Sequence, residues 1–344
     1  MISHGEVMKY FRGKNGVFII AEIGGNHEGD FEYAKRLLQL ASETGADAVK
    51  FQIYTADTLV NRFESPERYH HFKRFELTYE QYIELAEMAK ELGIMFMASI
   101  WNREALEILN PYISIYKIGS GDLNTYEMIE ATARTGKSII LSCGLATIED
   151  IEDVIKYIES LDASYIRDKK LCLLQCTSMY PIPDCEANLN SMLLIRERTG
   201  LPVGYSDHTV GSYACEIAAA MGAQVIEKHF TDRREGKEFR DHKISMTRDE
   251  MREFIAKIRQ IKELQGVYDK RVMPSEIESG HLISFRRAVY LRRDLRAGMV
   301  LRRGDIISLR PNVGIDGRDY FNVLGKKLKV DKKAYGRLSW DELE

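Results

Sequence analysis

The sequence predicts an α/β protein, a (β/α)8 TIM barrel over roughly residues 15–265 followed by a small β-rich domain. Three observations support this prediction. Short apolar runs and amphipathic stretches alternate eight times, polar side chains follow nearly every run, and the composition changes after residue 266. A doubly wound open sheet would produce the same alternation and is the main alternative.

Eight short runs are mainly apolar and rich in Ile, Val and Leu, which is typical of parallel strands buried on both faces. They are VFIIAE (17–22), ADAVKFQ (46–52), IMFMAS (94–99), SIYKIG (114–119), SIILSC (138–143), LCLLQC (171–176), PVGYS (202–206) and AQVIEKHF (223–230). Helical patterns separate them, among them residues 31–45, 79–93 and 124–136. Each of these three ends in Gly, the expected stop for a helix.

The last part of the chain has a different composition. After a long helical pattern at 247–266, residues 267–283 form a polar linker, and short alternating runs punctuated by glycines follow. We therefore expect a barrel domain at 1–266 and a small β-rich domain at 284–344. Seven arginines fall between residues 286 and 303, and they form either a solvated basic face or an anion-binding face.

The composition is that of an ordinary globular protein. A net charge of −3 argues against a dedicated nucleic-acid binder. Five cysteines without a CxxC pair fit reduced thiols better than a disulfide framework. Residues 1–16 contain no apolar signal region, and no run approaches 18 consecutive apolar residues. We expect a cytoplasmic enzyme whose partners include neither nucleic acid nor a membrane.

Polar side chains collect at the carboxyl ends of the predicted strands, where barrel enzymes place their chemistry. They are Glu22, Lys50, Gln52, Ser99, Lys117, Ser120, Ser142, Thr177, Ser178, Ser206, His208 and His229. Lys50 and Lys117 lie inside apolar runs, where an unpaired ammonium group is costly to bury. Lysines and hydroxyls together suit phosphate and carboxylate oxygens, so we expect a small substrate with several negative charges.

Two histidines end consecutive predicted strands, His208 in GYSDHT and His229 in IEKHFT. Neighbouring parallel strands lie about 4.8 Å apart, so the two rings could share one metal ion. An isolated pair of this kind is more often two hydrogen-bonded strand-end residues. The polar groups at the equivalent ends of the other strands favour the metal site here.

Two other segments only partly match known functional motifs. ATARTGKS (131–138) lacks the first glycine of a phosphate-binding loop, and AEIGGNHEGD (21–30) has neither GxGxxG nor HExxH spacing. Lys50 or Lys117 could form a Schiff base as aldolases do. Two lysines beside two histidines point instead to anion binding next to a metal.

Nine motifs, in order along nearly the whole chain, closely resemble the sialic acid synthases. They are AEIGGNHEGD (21–30), VKFQ (49–52), YKIGSGD (116–122), ILSCG (140–144), QCTSMYP (175–181), GYSDHT (204–209), IEKHFT (226–231), DHKISM (241–246) and RPNVGI (310–315). The resemblance implies condensation of phosphoenolpyruvate with an N-acetylated hexose, by default N-acetylmannosamine, to give a nine-carbon sialic acid and phosphate. It also implies that residues 284–344 form an antifreeze-like (SAF) domain and that the chain forms a domain-swapped homodimer.

The resemblance also implies roles for individual residues. His208 and His229 match the ligands of Mn²⁺ or Mg²⁺, and Glu22 is the candidate for handling a proton. The positions that match phosphoenolpyruvate contacts are Lys50, Lys117, Ser120, Ser142 and Ser206. Ser178 is assigned to the same group; it stands where the family often has Asn and can still donate a hydrogen bond. The positions on the sugar side are Gln52, Ser99, Trp101, Asp122, Tyr180 and Asp241, together with Arg310, which the swapped domain would send into the neighbouring active site.

Departures from the family pattern lie around the sugar. Asp122 stands where Glu is usual, Ser99-Ile100-Trp101 replaces Thr/Ser-Pro-Phe, and KEFRDH (237–242) lacks the usual Gly-Pro. His70 and His71 fall in the variable substrate segment at 67–77, where we expect surface residues. Precursors of legionaminic or pseudaminic acid are therefore alternative sugars. A non-catalytic sugar-binding scaffold would have lost metal or anion residues, and here all are present.

Overall fold

The computed structural model describes residues 10–11 and 13–344. Residues 1–9 and 12, which belong to the segment in which we expect no signal region, lie outside the described residues. The chain divides into two compact units, Met1–Gly266 and Val267–Glu344. The first contains a closed barrel and the second a two-stranded sheet.

Eight parallel strands form the barrel in sequence order. They are β1 (Phe18–Gly24), β2 (Ala48–Ile53), β3 (Met95–Ile100), β4 (Ile115–Ile118), β5 (Ser138–Ser142), β6 (Leu171–Cys176), β7 (Val203–Asp207) and β8 (Val225–His229). Because β1 pairs with both β2 and β8, the sheet has no edge. The barrel prediction is confirmed, and the open-sheet alternative is wrong.

The strand register places predicted site residues side by side. Glu22 on β1 lies opposite Lys50 on β2 and opposite His229 on β8. Ser99 on β3 lies opposite Lys117 on β4. Since side chains alternate between the two faces of a strand, these residues share the inward face of the barrel.

The barrel interior is closed by an apolar cluster, here called the apolar plug. It consists of Phe11, Phe18, Ile20, Ala48, Met97, Ile115, Ile140, Cys172, Leu174 and Val225, all buried. A second, larger apolar core packs the outward faces of the strands against the helices, with Val49, Phe51 and Leu85 among its members. The plug leaves only the carboxyl end of the barrel for polar chemistry.

The helices surround the barrel at the predicted places. They are α1 (Phe31–Ser42), α2 (Ala56–Leu59), α3 (Pro66–Phe75), α4 (Tyr79–Glu91), α5 (Arg103–Leu109), α6 (Tyr126–Ala133), α7 (Ile148–Leu161), α8 (Ser164–Arg167), α9 (Asn190–Thr199), α10 (Tyr213–Ala220) and α11 (Arg248–Gln265). Capping boxes at Thr78, Thr147 and Thr247 satisfy N-terminal amides of α4, α7 and α11. Three helices end two or three residues before the predicted glycine, because Gly45, Gly93 and Gly136 adopt positive φ angles that a helix cannot continue.

The second unit has its own small core. Strands β9 (Ala288–Leu291) and β10 (Ile306–Leu309) pair antiparallel, and α14 (Tyr320–Val323) follows them. Its buried apolar residues are Val289, Leu291, Leu295, Leu301, Ile306, Ile315, Val323, Leu328, Leu338 and Leu343. The segment that we expected to be a polar linker contains two short helices, α12 (Pro274–Glu278) and α13 (His281–Ser284).

All five cysteines carry free thiols, and Cys185 alone of them is exposed. Among the described residues, no helix combines the length and the apolar composition that crossing a bilayer requires.

Candidate active site

A layer of polar side chains lies directly above the apolar plug. On most strands the polar residue follows a plug residue by two positions, as Glu22 follows Ile20 and Lys50 follows Ala48. This polar layer consists of Glu22, Lys50, Ser99, Lys117, Ser142, Ser206, Glu227 and His229, each at most 6% exposed. Burying so many polar groups together is costly unless they pair with each other or with a ligand.

Lys50 lies close to two carboxylates and one hydroxyl of the polar layer. Its Nζ lies 2.9 Å from Glu22 Oε2 and 3.8 Å from Glu227 Oε2, and it donates to Ser99 Oγ at 3.3 Å. Burial would lower the pKa of Lys50, but the two carboxylates outweigh it and raise that pKa. Burial has the larger effect on Glu22, whose pKa is raised to about 7 although Lys50 opposes the change.

Glu227 is a central member of the polar layer that the sequence analysis missed. Its Oε1 lies 3.5 Å from Lys117 Nζ and accepts a hydrogen bond from Ser206 Oγ at 2.9 Å. Burial would raise the pKa of Glu227, but Lys117 and Lys50 outweigh it and lower that pKa to about 2. The available signal was the two-residue alternation, since Glu227 precedes His229 by two positions and shares its face.

A buried ion pair fixes the ends of β7 and β8. Lys228 Nζ lies 2.6 Å from Asp207 Oδ2 and also donates to the Thr209 carbonyl oxygen, and both charged side chains are fully buried. Asp207 and Lys228 directly precede His208 and His229, so alternation turns them to the opposite face of the sheet. The pair ties together the two strand ends that carry the histidines.

His208 and His229 come together as the sequence predicts, with ring centroids 5.5 Å apart. His208 Nδ1 donates to the Thr177 carbonyl oxygen at 2.7 Å, which leaves Nε2 with a lone pair. Burial lowers the pKa of His208 to about 4. Burial is the main cause that holds the pKa of His229 well below its ordinary value, and the charges of Lys50 and Lys228 add to it, so both rings are neutral at pH 7.

These two imidazoles fit a divalent metal ion. His229 Nδ1 is buried and has no hydrogen-bond partner among the described residues, and the Asp241 carboxylate lies 3.8 Å from it. Neutral imidazoles with one nitrogen fixed by a carbonyl are common metal ligands. Within the described chain, no group of three His, Cys, Asp or Glu side chains is arranged to hold an ion. The residues that would hold a metal here are His208 and His229.

Tyr180 and Asp241 lie beside the histidines. The Tyr180 ring centroid is 4.0 Å from that of His208 and 5.8 Å from that of His229. Burial raises the pKa of Asp241 to about 6, with Arg240 opposing the change from 3.3 Å. Both predicted sugar-side residues thus border the predicted metal site.

The predicted phosphate-binding hydroxyls converge on Gly144. Ser120 Oγ accepts a hydrogen bond from the Gly144 amide at 3.0 Å. A Cβ at Gly144 would lie 2.6 Å from Ser178 Oγ and 2.8 Å from Ser120 Oγ, so only glycine leaves room for both hydroxyls. Ser142 Oγ is buried without a hydrogen-bond partner in the described part of the chain.

Three more residues that were predicted on the sugar side form hydrogen bonds with each other or with Glu22. Gln52 Nε2 donates to Glu22 Oε1 at 2.9 Å, which connects it to the polar layer. The Trp101 indole Nε1 donates to Asp122 Oδ2. Burial raises the pKa of Asp122, and the Trp101 hydrogen bond opposes this effect.

Three other residues lie outside this group. Arg310 belongs to the second unit, where its guanidinium lies 5.2 Å from the Phe285 ring centroid. His70 is exposed, as expected for a surface residue. His71 is half-buried, and its ring lies 4.6 Å from that of Phe75 and 5.6 Å from that of Phe239.

Comparison with known proteins places the chain in a family. The model of the NeuB family matches residues 37–270, more than half of the sequence. The chain belongs to the NeuB family. N,N'-diacetyllegionaminic acid synthase of Legionella pneumophila is 36% identical over 340 residues, covering 95% of this chain and 94% of that protein. Pseudaminic acid synthase of Helicobacter pylori is 32% identical over 95% of this chain and 97% of that protein.

A solved structure leads to the same family. The N-acetylneuraminic acid synthetase of Leptospira borgpetersenii, crystallised with citrate, superposes with a TM-score of 0.71 at 31% identity. The match covers 77% of this chain and 90% of that one. The NeuB chain described here is therefore an enzyme of the sialic acid synthase family, and the resemblance found in its motifs is confirmed. The roles of individual site residues stay predictions.

Proposed function

We propose that this NeuB protein condenses phosphoenolpyruvate with an N-acylated amino-sugar and water to give a nine-carbon nonulosonic acid and phosphate. C3 of phosphoenolpyruvate attacks the sugar aldehyde, water adds at C2, and phosphate leaves by C–O cleavage. The observation that carries the proposal is the polar layer, whose two buried lysines lie at the same end of the barrel as the neutral imidazoles of His208 and His229.

The lysines and hydroxyls are the residues that would bind phosphoenolpyruvate. Lys50 and Lys117 provide two cations in a water-poor site, where charge-assisted hydrogen bonds to phosphate and carboxylate are strong. Ser120 and Ser178, brought together at Gly144, offer hydroxyl donors to the same oxygens. Ser142 and Ser206 add two more from β5 and β7.

Glu22 is suited to hold and release a proton. A carboxyl group with a pKa of about 7 is half protonated at neutral pH, which is the condition for general acid–base catalysis. Binding of an anionic substrate beside Lys50 would raise that pKa further, because it adds negative charge next to Glu22. Glu22 would then carry a proton, and Gln52 would keep donating to its Oε1.

His208 and His229 would hold Mn²⁺ or Mg²⁺, and nitrogen ligands favour Mn²⁺ of the two. Bound there, the metal would supply Lewis-acid polarisation of the sugar aldehyde. The protein's own part is to keep both rings neutral and oriented, through burial and the hydrogen bond from His208 to Thr177. Asp241 and Tyr180 border this site and would contact the sugar.

We also propose that residues 284–344 act as an antifreeze-like domain in a swapped homodimer, with Arg310 contacting the N-acyl group of the sugar in the partner's barrel. Support comes from apolar side chains exposed along the connecting segment. Val267, Ile277 and Ile283 are 59%, 56% and 57% exposed, so this segment offers apolar side chains that a partner could cover. The same small core that is marginal alone would gain stability from such docking.

The Schiff-base alternative has less support. An amine nucleophile must be neutral, which requires a lowered pKa. The pKa of Lys50 is raised, since two carboxylates surround its ammonium group. Pyruvate with borohydride should leave the chain unlabelled, and covalent labelling of Lys50 or Lys117 would favour the aldolase.

The test of the proposal is phosphate release from phosphoenolpyruvate with Mn²⁺, offering one amino-sugar at a time and identifying products by mass spectrometry. N-acetylmannosamine and the 2,4-diacetamido-2,4,6-trideoxy hexoses are the sugars to offer. A nine-carbon acid formed together with phosphate supports the reaction. Absence of phosphoenolpyruvate binding to the metal-loaded protein would refute it.

A further inference from the structure

The Glu227 carboxylate engages three of the groups that are proposed to bind phosphoenolpyruvate. Its Oε1 accepts a hydrogen bond from Ser206 Oγ at 2.9 Å and lies 3.5 Å from Lys117 Nζ. Its Oε2 lies 3.8 Å from Lys50 Nζ. One carboxylate therefore reaches both lysines of the polar layer. An anion that binds these donors has to share or replace contacts that the protein's own anion already makes.

The charges of the polar layer largely balance one another. Lys50 and Lys117 contribute two positive charges, the Glu227 carboxylate contributes one negative charge, and Glu22 contributes a second when it is ionised. All four side chains are at most 6% exposed, so water screens these charges little. Burial of the layer needs no external anion, because each ammonium group has a carboxylate beside it.

The second oxygen of Glu227 carries negative charge that no hydrogen bond offsets. Glu227 Oε2 is buried and accepts no hydrogen bond within the described part of the chain. An anionic oxygen bound to Lys50 would come close to this oxygen and be repelled by it. At about 4 Å the repulsion between two unit charges weakens binding about fivefold even with the screening of bulk water, and more in a buried site.

We propose that Glu227 limits the affinity of the polar layer for inorganic phosphate, so that this product dissociates between turnovers. Phosphoenolpyruvate can place its phosphate on one lysine and its carboxylate on the other, whereas inorganic phosphate has a single anionic group to share between them. Repulsion by Glu227 therefore leaves phosphoenolpyruvate bound and lets phosphate leave. Glu227 sets an affinity and takes no part in bond making. The inference rests on the proposed synthase reaction.

The experiment measures binding of inorganic phosphate to the native protein and to Glu227→Gln, by isothermal titration calorimetry with Mg²⁺ present. Gln keeps the size of the side chain and an oxygen for the Ser206 hydroxyl but removes the charge. Phosphate should bind to the variant at least about fivefold more tightly. In turnover, kcat and KM for phosphoenolpyruvate should fall together. Rapid quenching should show a burst of nine-carbon product, because release of phosphate then limits the rate.

Two variants separate the charge of Glu227 from its effect on the fold. Glu227→Asp keeps the negative charge on a shorter side chain, so it should bind phosphate no more tightly than the native protein does. Glu250→Gln removes a carboxylate that pairs with Arg234 outside the polar layer, and it should leave the affinity for phosphate unchanged. Tighter binding of phosphate by either variant would overturn the proposal, because the gain would not depend on the charge of Glu227.

Phosphate binding decides the role of Glu227 separately from the reaction. Equal or weaker binding by Glu227→Gln overturns the proposal, and weaker binding would assign Glu227 to orienting the lysines. If this variant does not fold, the native protein decides: phosphate should bind more weakly than phosphoenolpyruvate, and equal or tighter binding refutes the inference. Failure of the native protein to bind phosphoenolpyruvate counts against the synthase reaction, whereas the comparison of phosphate affinities still tests Glu227.

Discussion

Replacing Glu227 with Gln should destabilise the protein by several kcal/mol, because the neutral amide no longer balances Lys117. The pKa of Glu227 is about 2 in the fold, against an ordinary value of 4.5. Each tenfold change in proton affinity corresponds to about 1.4 kcal/mol, so the fold favours the ionised form by about 3 kcal/mol. Since this pKa is lowered, the stabilisation is fully present above about pH 4.5 and is lost as the pH falls towards 2.

Glu227→Gln removes this stabilisation at pH 7, because Lys117 loses the carboxylate that lies 3.5 Å from its Nζ. Breaking one partner of a buried ion pair costs about 3–5 kcal/mol. For a domain of this size each kcal/mol corresponds to roughly 2–4 °C, so Tm should fall by about 6–20 °C in differential scanning calorimetry.

Glu250→Gln is a control with the same ionisation but a different environment. The pKa of Glu250 is also about 2, because of the Arg234 hydrogen bond, yet its side chain is 43% exposed. Solvent screens this pair, so the loss should stay below about 1 kcal/mol. Gln also preserves the capping box with Thr247. Equal Tm changes in the two variants would show that burial of Glu227 does not set the magnitude.

Phosphoenolpyruvate supplies a second check on the same residue. If its phosphate or carboxylate binds Lys117, the anion replaces the missing charge, and it should raise Tm more in Glu227→Gln than in the native protein. An equal rise in both proteins would place the anion away from Lys117.

Three other predictions concern the proposed reaction. Glu22→Gln should abolish the change of kcat/KM that the native protein shows around pH 7, since the pKa of Glu22 is raised to about 7; a pH–rate profile that survives the substitution would assign it to another group. His208→Ala should weaken Mn²⁺ binding by on the order of 100-fold in isothermal titration calorimetry, because one of two protein ligands is lost. Native affinity in that variant would rule His208 out as a ligand. Arg310→Ala should raise KM for the sugar roughly 10–100-fold and change KM for phosphoenolpyruvate little, as expected for one charge-assisted hydrogen bond. Equal changes in both would contradict a contact with the sugar.

The barrel could be predicted from the sequence because each of its strands is identified by a short segment of the chain. Strands buried on both faces must be short and apolar, and runs such as VFIIAE and LCLLQC satisfy this without reference to the rest of the chain. The same logic places Lys50, Lys117, His208 and His229 at one end. Glu227 could have been predicted in the same way, since the alternation of side chains along a strand puts it on the same face as His229.

The ring contacts that link Tyr54 and Trp101 to α3, and α3 to Phe239, could not be predicted in this way. His71 looked like a surface residue because nothing in the segment 67–77 shows that Phe239, far along the chain, covers it. The Trp101–Asp122 hydrogen bond joins the ends of β3 and β4 and depends on side-chain orientation. The sequence analysis treated the segments 67–77, 99–101 and 237–242 separately, whereas their contact is a property of the fold.

The apolar plug makes the barrel a tube that is closed at one end. Lys50 and Lys117 lie in the layer next to the closed end, and Tyr54 and Trp101 follow the carboxyl ends of β2 and β3. Substrates that share such a tube must bind in a fixed order. The small anion binds first, and the sugar that binds above it prevents its release. We therefore expect compulsory-order kinetics, in which the sugar alone forms only a dead-end complex and the nine-carbon product leaves before the phosphate beneath it.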